Sequence, residues 1–458
     1  MSNIPNIGLL FILRTHLWLH KNMLKTITPI LHPLNASVRV PGSKSLTNRA
    51  LLISALADGK TTLTNALFSD DSHYFANALK ALGFEVSLDE EKKTMSIVGL
   101  GGKISAKSAE LFIGNAGTAA RFLTAFLTLS NGEYILDGEP RMRERPIGDL
   151  VNALTPLGAE ITQHAIRNKN HSSLVTSPLC PPLKITASGL AGGKTQIAGN
   201  VSSQYLSALL MTAPFAENPV EIQITTELYS KPYVDMTLSI MRDFDVEVKR
   251  KGYQVFKINP TQYAPRNTYV IESDASAASY FFAAPAICGG TVRVENITRK
   301  SVQGDIDFLD ILAKMGCEIT EHENAISVTG TKNLTGVDVD MRHISDTAQT
   351  LAAIAPFASS PTHIHGIASA RVKETDRVSA VCAELRRLSI KVEEFEDGMK
   401  IYPSKNIQAT TVQTYNDHRM AMAFSLIGLR ENGVEIRNPS CVSKTFPSYF
   451  DVLDELRE

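Results

Sequence analysis

The sequence predicts a two-lobed α/β protein made of six similar units, three to a lobe, with a cleft between the lobes. Three observations predict it. The 458 residues are 43% hydrophobic and only 20% charged, enough apolar surface for two or three packed domains and incompatible with disorder as the main state. One pattern recurs along the chain: an amphipathic helix, a Gly or small polar stop, then a short alternating strand. The copies recur at roughly 70 to 90 residues, and six units of that size divide into two lobes of three, an arrangement that leaves a cleft suited to small molecules.

In chain order, the clearest copies end at Ala81-Leu-Gly-Phe-Glu-Val86, Pro156-Leu-Gly-Ala-Glu-Ile161, Lys314-Met-Gly-Cys-Glu-Ile319 and Arg387-Leu-Ser-Ile-Lys-Val392, with a weaker one at Asp243-Phe-Asp-Val-Glu-Val248. The apolar residue before each stop is Leu82, Leu157, Phe244, Met315 and Leu388, and by extension Leu456. Three residues earlier stand Leu79, Leu154, Met241, Leu312, Leu385 and Leu453; seven earlier stand Phe75, Leu150, Thr237, Phe308, Val381 and Tyr449. This is one helical face written six times, with Thr237 its only polar member.

Composition excludes several function classes. With 46 Lys and Arg against 47 Asp and Glu, the chain has a formal charge of -1 and makes no global electrostatic case for nucleic acid or acidic membranes. Any anion site must be built locally. Cys180, Cys288, Cys317, Cys382 and Cys441 are odd in number and contain no Cys-x-x-Cys pair, so neither a disulfide framework nor a zinc site is expected, and a reducing cytoplasm fits. The apolar run Ile7 to Leu13 ends at Arg14, far short of the roughly 20 residues that span a bilayer, and it lacks the flanks of a secretory signal. A cytoplasmic location is expected.

Cations gather where helices are expected to begin, and free N–H groups and the macrodipole make helix N-termini attractive to anions. Pro41-Gly-Ser-Lys-Ser-Leu-Thr-Asn-Arg49 reads as a turn with Ser43 or Ser45 as cap and Arg49 one turn on; it lacks the spacing of a Walker loop. Leu111-Phe-Ile-Gly-Asn-Ala-Gly-Thr-Ala-Ala-Arg121 reads as strand, turn and helix, with Thr118 as cap, and Gly199-Asn-Val-Ser-Ser-Gln204 repeats the form with Ser202 or Ser203 as cap. Arg141-Met-Arg-Glu-Arg-Pro146 sets three arginines before a Pro suited to a first helical turn. Asp346-Thr-Ala-Gln349 has the form of a capping box; Lys373 and Arg377 fall four apart with Glu374 between; Asn416-Asp-His-Arg419 precedes an apolar helix; and Lys444-Thr-Phe-Pro447 opens the last one. Together Lys44, Arg49, Arg121, Arg145, Lys373, Arg377, Arg419 and Lys444 suit a ligand carrying several phosphate or carboxylate groups.

Seven of these segments, in this order, resemble the 5-enolpyruvylshikimate-3-phosphate synthases: Pro41-Gly-Ser-Lys-Ser, Gly114-Asn-Ala-Gly-Thr, Arg143-Glu-Arg-Pro-Ile-Gly, Val201-Ser-Ser-Gln, Ser230-Lys-Pro-Tyr, Arg371-Val-Lys-Glu-Thr-Asp-Arg and Tyr415-Asn-Asp-His-Arg-Met-Ala-Met. The likeness runs from Met23 to the C-terminus. It implies the two-lobed enolpyruvyl transferase fold, an inside-out α/β barrel of six βαβαββ repeats. Residues 23–42 with 273–458 would form the lobe on the phosphoenolpyruvate side, and 43–272 the lobe on the shikimate 3-phosphate side. Residues 1–22 have no counterpart and are expected to be dispensable. The implied reaction moves the enolpyruvyl group of phosphoenolpyruvate to the 5-hydroxyl of shikimate 3-phosphate and releases phosphate, without cofactor or metal.

By the same resemblance, Lys44, Ser45, Arg49, Ser202, Ser203, Gln204, Ser230, Tyr233, Asp346, Ser369 and Lys373 would bind shikimate 3-phosphate. Lys44, Asn115, Gly117, Arg145, Gln204, Arg377, Arg419 and Lys444 would bind phosphoenolpyruvate. Asp346 would take the hydroxyl proton, a role that overrides the capping-box reading although one carboxylate can serve as both base and cap, while Glu374 and Lys44 carry the other proton steps. The chain departs from the family in having Ser369 where Asn is common, and Ala120 and Phe122 where the helix after Gly117-Thr118 often has Met and Pro. Retention of Gly117 implies sensitivity to glyphosate, tempered by Phe122. A monomer with no nucleic-acid or membrane partner is expected. The alternatives are the sibling transferase acting on UDP-N-acetylglucosamine, which typically has Lys-Asn at Lys44-Ser45 and uses a loop cysteine, and an RNA-binding repeat protein.

Overall fold

The computed structural model describes residues 23–164 and 179–457; the segment 1–22, with its Ile7 to Leu13 run, lies outside the described residues. Five four-stranded sheets share one strand order, and a three-stranded sheet is the sixth. In the second unit, Ser108–Phe112 pairs parallel with Asn131–Asp137, which pairs antiparallel with Leu183–Ser188, and Glu160–Gln163 lies at the edge. A parallel pair needs a crossover, and helix Gly117–Leu127 supplies it. The unit therefore reads βαβαββ, as the sequence resemblance implies.

The eighteen repeat positions named from the sequence are all at most 3% exposed. They lie on, or cap, the helical segments Asp70–Ala81, Gly148–Leu154 with its 3-10 turn Thr155–Leu157, Lys231–Asp243, Phe308–Lys314, Arg377–Arg387 and Tyr449–Glu455. A second set of helices is buried all round rather than on one face: every residue of Gly117–Leu127 and His418–Gly428 is buried, as is all of Ala275–Cys288 except its last.

Two separate apolar cores follow. One joins Leu46 to Ile271; the other joins Ile27, Leu34, Val38 and Val40 to the stretch from Ala275 to Leu456. The chain crosses between them twice, side by side: Ser43 N–H donates to the Glu272 carbonyl (2.8 Å) and Asp274 N–H to the Pro41 carbonyl (2.8 Å). Each crossing also closes a lobe. Tyr269–Val270 runs parallel to Asp58–Thr64 as the leading strand of the first unit, and Leu34–Arg39 does the same for Gly290–Glu295 in the fourth.

Thr237, the polar exception on the repeated face, has a specific task. Arg49 Nε donates to its hydroxyl (2.8 Å), which lies 2.8 Å from Ser207 Oγ and donates to the Tyr233 carbonyl (2.9 Å). Thr237→Val keeps the shape but strands a buried guanidinium N–H, so we expect a loss of about 1–3 kcal/mol in denaturant unfolding. Unchanged or greater stability would show that Arg49 finds another acceptor.

Candidate functional site

Two adjoining pockets open in the cleft. The first is lined mainly by hydroxyls and amides: Ser45, Thr118, Ser202, Ser203, Gln204, Ser230 and Ser369, with Lys44, Arg49, Tyr233, Asp346 and Lys373. The second is charged: Lys44, Asp71, Arg145, Lys373, Glu374, Arg377 and Arg419 surround Gly117, Thr118, Gln204 and Asp346. Both lobes contribute to each.

Local structure explains how these groups arrive. Ser43 caps helix Lys44–Leu56, placing Lys44 and Ser45 in its first turn, and Arg49 Nη1 turns back to the Ser45 carbonyl (2.9 Å). Ser202 caps Ser203–Thr212 through Gln204 N–H. Gly117 opens its helix against the Arg145 guanidinium, where any Cβ would collide. Asp417 caps His418–Gly428 by accepting Arg419 N–H (2.9 Å) and also accepts Arg377 Nε (2.8 Å), so one carboxylate sets two arginines.

Asp346 does not form the capping box. It lies in the 3-10 turn Ser345–Thr347, and its side chain accepts Arg377 Nη1 (3.0 Å) and Arg419 Nη2 (2.8 Å) rather than backbone N–H groups. Guanidinium donors outcompete the amides because the ion pair is formed in a largely dry site. Other expectations also change. Thr118 is not a cap but accepts Gln204 Nε2 (3.3 Å), and Lys373 precedes the helix that Arg377 begins, so a turn rather than a shared helical face brings both to Asp346. Helix Gly148–Leu154 starts two residues after Pro146, and Lys444 ends a 3-10 turn instead of opening the final helix.

The three arginines of 141–145 have three fates. Arg141 reaches across the cleft to the carbonyls of Lys373 (3.0 Å) and Glu374 (3.1 Å), Arg143 pairs with Asp137 at the surface, and Arg145 is buried in the charged pocket. Arg121 donates to the Gly117 and Pro146 carbonyls and lines neither pocket. Asn115 and Lys444 stand just behind the pocket: the Asn115 carbonyl accepts Lys444 Nζ (2.7 Å) and Arg145 Nη1 (3.0 Å). Asp71, which the motifs did not single out, pairs with Lys444 (2.8 Å) and faces Lys44 (3.7 Å). Its sign was its place in the first turn of a helix, a position shared by many ordinary carboxylates.

Burial and charge shift these groups. Burial alone would raise Asp346, but Arg419, Lys373, Arg377 and Lys44 outweigh it and hold the carboxyl well below its usual range. Burial likewise opposes, and Arg377, Arg145 and Lys444 impose, a low value for Glu374. Desolvation pulls the Lys44 ammonium down despite Asp71 and Glu374, and Arg49 falls to about 10 for the same cause. The Nε atoms of Arg145 and Arg419 are buried with no hydrogen-bond partner among the described residues. A pocket where cations outnumber carboxylates is what an anionic ligand requires.

A two-lobed α/β fold of six repeats, holding an anion-binding cleft beside a carboxylate and a row of hydroxyls, defines a class of small-molecule transferases. The family model for EPSP synthase (3-phosphoshikimate 1-carboxyvinyltransferase) matches residues 29–453, and this chain belongs to that family. It is 49% identical over 424 residues to the 3-phosphoshikimate 1-carboxyvinyltransferase of Trichormus variabilis, covering 93% of this chain and 97% of the relative. The protein of the same name from Sulfurovum sp. is 49% identical over 433 residues, covering 94% and 98%. The structure of EPSP synthase from Acinetobacter baumannii shares the fold with a TM-score of 0.78 over 94% of this chain and 98% of that one, at 24% identity.

The depressed carboxylates predict a pH dependence. A group whose folded pKa lies below its unfolded value stabilises the fold above that unfolded value, and the contribution is lost as pH falls through the folded one. Glu374→Gln should therefore be less stable than the parent at neutral pH, by about the 3–5 kcal/mol typical of a broken buried pair. The gap should close as the solution is acidified below the ordinary carboxylate range. Thermal unfolding of both chains against pH checks this, and a gap independent of pH would rule the ion pairs out as its source.

Proposed function

We propose that this chain transfers the enolpyruvyl group of phosphoenolpyruvate to the 5-hydroxyl of shikimate 3-phosphate, releasing inorganic phosphate, in the cytoplasm and as a monomer. The observation that carries the reading is the convergence of Lys44, Arg145, Lys373, Arg377 and Arg419 from both lobes on one pocket with Asp346, where they outnumber its carboxylates, with Lys444 behind the wall. Membership of the EPSP synthase family supplies the reaction.

The hydroxyl-lined pocket takes shikimate 3-phosphate through Lys44, Ser45, Arg49, Ser202, Ser203, Gln204, Ser230, Tyr233, Ser369 and Lys373. The charged pocket takes phosphoenolpyruvate on Arg145, Arg377, Arg419 and Lys44, with Gly117 leaving room beside Arg145, and with Lys444 and Asn115 holding the wall. Asp346 accepts the 5-hydroxyl proton as that oxygen bonds to C2, and C3 gains a proton, giving a tetrahedral phospho-ketal. Of the two candidate donors, Lys44 holds a removable proton while Glu374 is ionised, so Lys44 protonates C3 and Glu374 takes the proton back as the C2–O bond to phosphate breaks. Among the described residues no cysteine lines either pocket, which speaks against the sibling transferase on UDP-N-acetylglucosamine.

Phosphate release should require both substrates together. Asp346→Asn should lower kcat by about 10²-fold or more while leaving both KM values within a few-fold, since a general base contributes that much to the transition state. Gly117→Ala should raise the KM for phosphoenolpyruvate by pressing on Arg145, and should weaken competition by glyphosate, whose anionic groups would use the same cations. The Phe122 ring is buried with the Arg49 guanidinium 5.4 Å from its centre, so any tempering of glyphosate would be transmitted by packing, and comparing inhibition of the natural chain with Phe122→Pro tests it. Phosphate release with either substrate alone would overturn the assignment.

A further inference from the structure

Behind the two pockets lies a small cavity of about 10 Å³, room for about one water. Its wall holds a carboxyl that the reaction above does not use. Asp305, in the 3-10 turn Gly304–Asp307, is 4% exposed, and its Oδ2 accepts the Ser276 hydroxyl and the Tyr233 hydroxyl (3.0 Å) while its Oδ1 is buried without a partner. The same Tyr233 oxygen lies 3.3 Å from Asp346 Oδ2. One phenol proton thus faces two carboxyls.

We propose that Asp305 is a positioning residue for the base: it decides, through Tyr233, whether the phenol proton is donated to Asp346. When Asp305 is ionised it takes the nearer phenol proton, and Asp346 Oδ2 keeps only Arg419 Nη2. When Asp305 binds a proton from water it donates to the Tyr233 oxygen, and the phenol proton turns to Asp346, stabilising that carboxylate and making it a weaker base. No other bond changes. Burial and the charge of Asp346 raise Asp305 to about 6, while Arg419, Ser276 and Tyr233 pull it down. Lys44, Asp274 and Tyr280 also face the cavity. The proton on Asp305 is therefore exchanged just below neutrality, and the base gains strength as pH rises.

The inference rests on Asp346 being the base of the proposed reaction. The test is the pH dependence of kcat and of both KM values, read by phosphate release, for the unaltered chain, Asp305→Asn and Ser276→Ala. The unaltered chain should show an acidic limb near pH 6. Asp305→Asn presents an amide donor to Tyr233 at every pH, so kcat should fall about tenfold on the alkaline side, the limb should vanish and KM should stay within about twofold. Ser276→Ala removes a donor from the Asp305 carboxylate, so the limb should move to higher pH. A merely structural Asp305 would leave the limb in place in both variants, and that result overturns the proposal; should Asp305→Asn not fold, the Ser276→Ala midpoint decides alone. If the unaltered chain releases no phosphate, the functional reading has failed separately. The Asp305 proton is then read as the infrared carboxyl band lost in Asp305→Asn, which should titrate near pH 6 and shift in Ser276→Ala; a band that stays put rejects the coupling.

Discussion

The buried Arg377 guanidinium is the interaction on which the cleft depends. Its Nε and Nη2 donate to Asp417 (2.8 and 3.3 Å), Nη2 also to Glu374 (2.9 Å) and Nη1 to Asp346 (3.0 Å), so one side chain ties three segments of one lobe together. From there the network spreads. Asp417 orients Arg419, Arg419 completes the hold on Asp346, and Glu374 faces Arg145 and Lys444 at 3.9 Å. Taking so many charges out of water costs several kcal/mol per ion, and apolar residues would stabilise the fold as well or better. The arrangement is explained by what it does to an anion, since fixed cations in a dry pocket bind charge without reorganising.

The repeated fold was legible because its signal is periodic. Eighteen positions chosen by spacing alone proved buried, and the single polar one, Thr237, marks where the active cleft intrudes on the repeat by needing an acceptor for Arg49. The cations were legible for a different reason: eight of them at expected helix starts exceed what a near-neutral chain explains by chance. What sequence spacing hid was their direction. Arg121 and Arg145 look alike in the chain, yet Arg121 spends its donors on the Gly117 and Pro146 carbonyls while Arg145 keeps an Nε free. Asp346 showed a capping pattern whose backbone partners lost to Arg377, 31 residues on in the same unit, and Arg419 of the next unit, and Asp71 showed nothing beyond its place in a first helical turn. Ion pairing between segments far apart in the chain has no local signature.

On the proposed mechanism, the same network would set the order in which the site becomes reactive. In the free molecule four cations hold Asp346 far below the usual carboxylate range, which makes it a poor base at neutral pH. All four, Arg419, Lys373, Arg377 and Lys44, line the pocket proposed for phosphoenolpyruvate. Once a phosphate and a carboxylate occupy those donors, the field they exert on Asp346 is largely cancelled and its proton affinity rises. On the proposed mechanism, a base quenched until the second substrate neutralises its surroundings would not activate the hydroxyl of the first in its absence, so the electrostatics that bind the donor would also time the proton transfer. Tyr233 meets Asp346 at Oδ2, the oxygen it shares with Arg419, while Arg377 holds Oδ1, so Asp305 acting through Tyr233 would adjust a basicity that the bound anions have already restored.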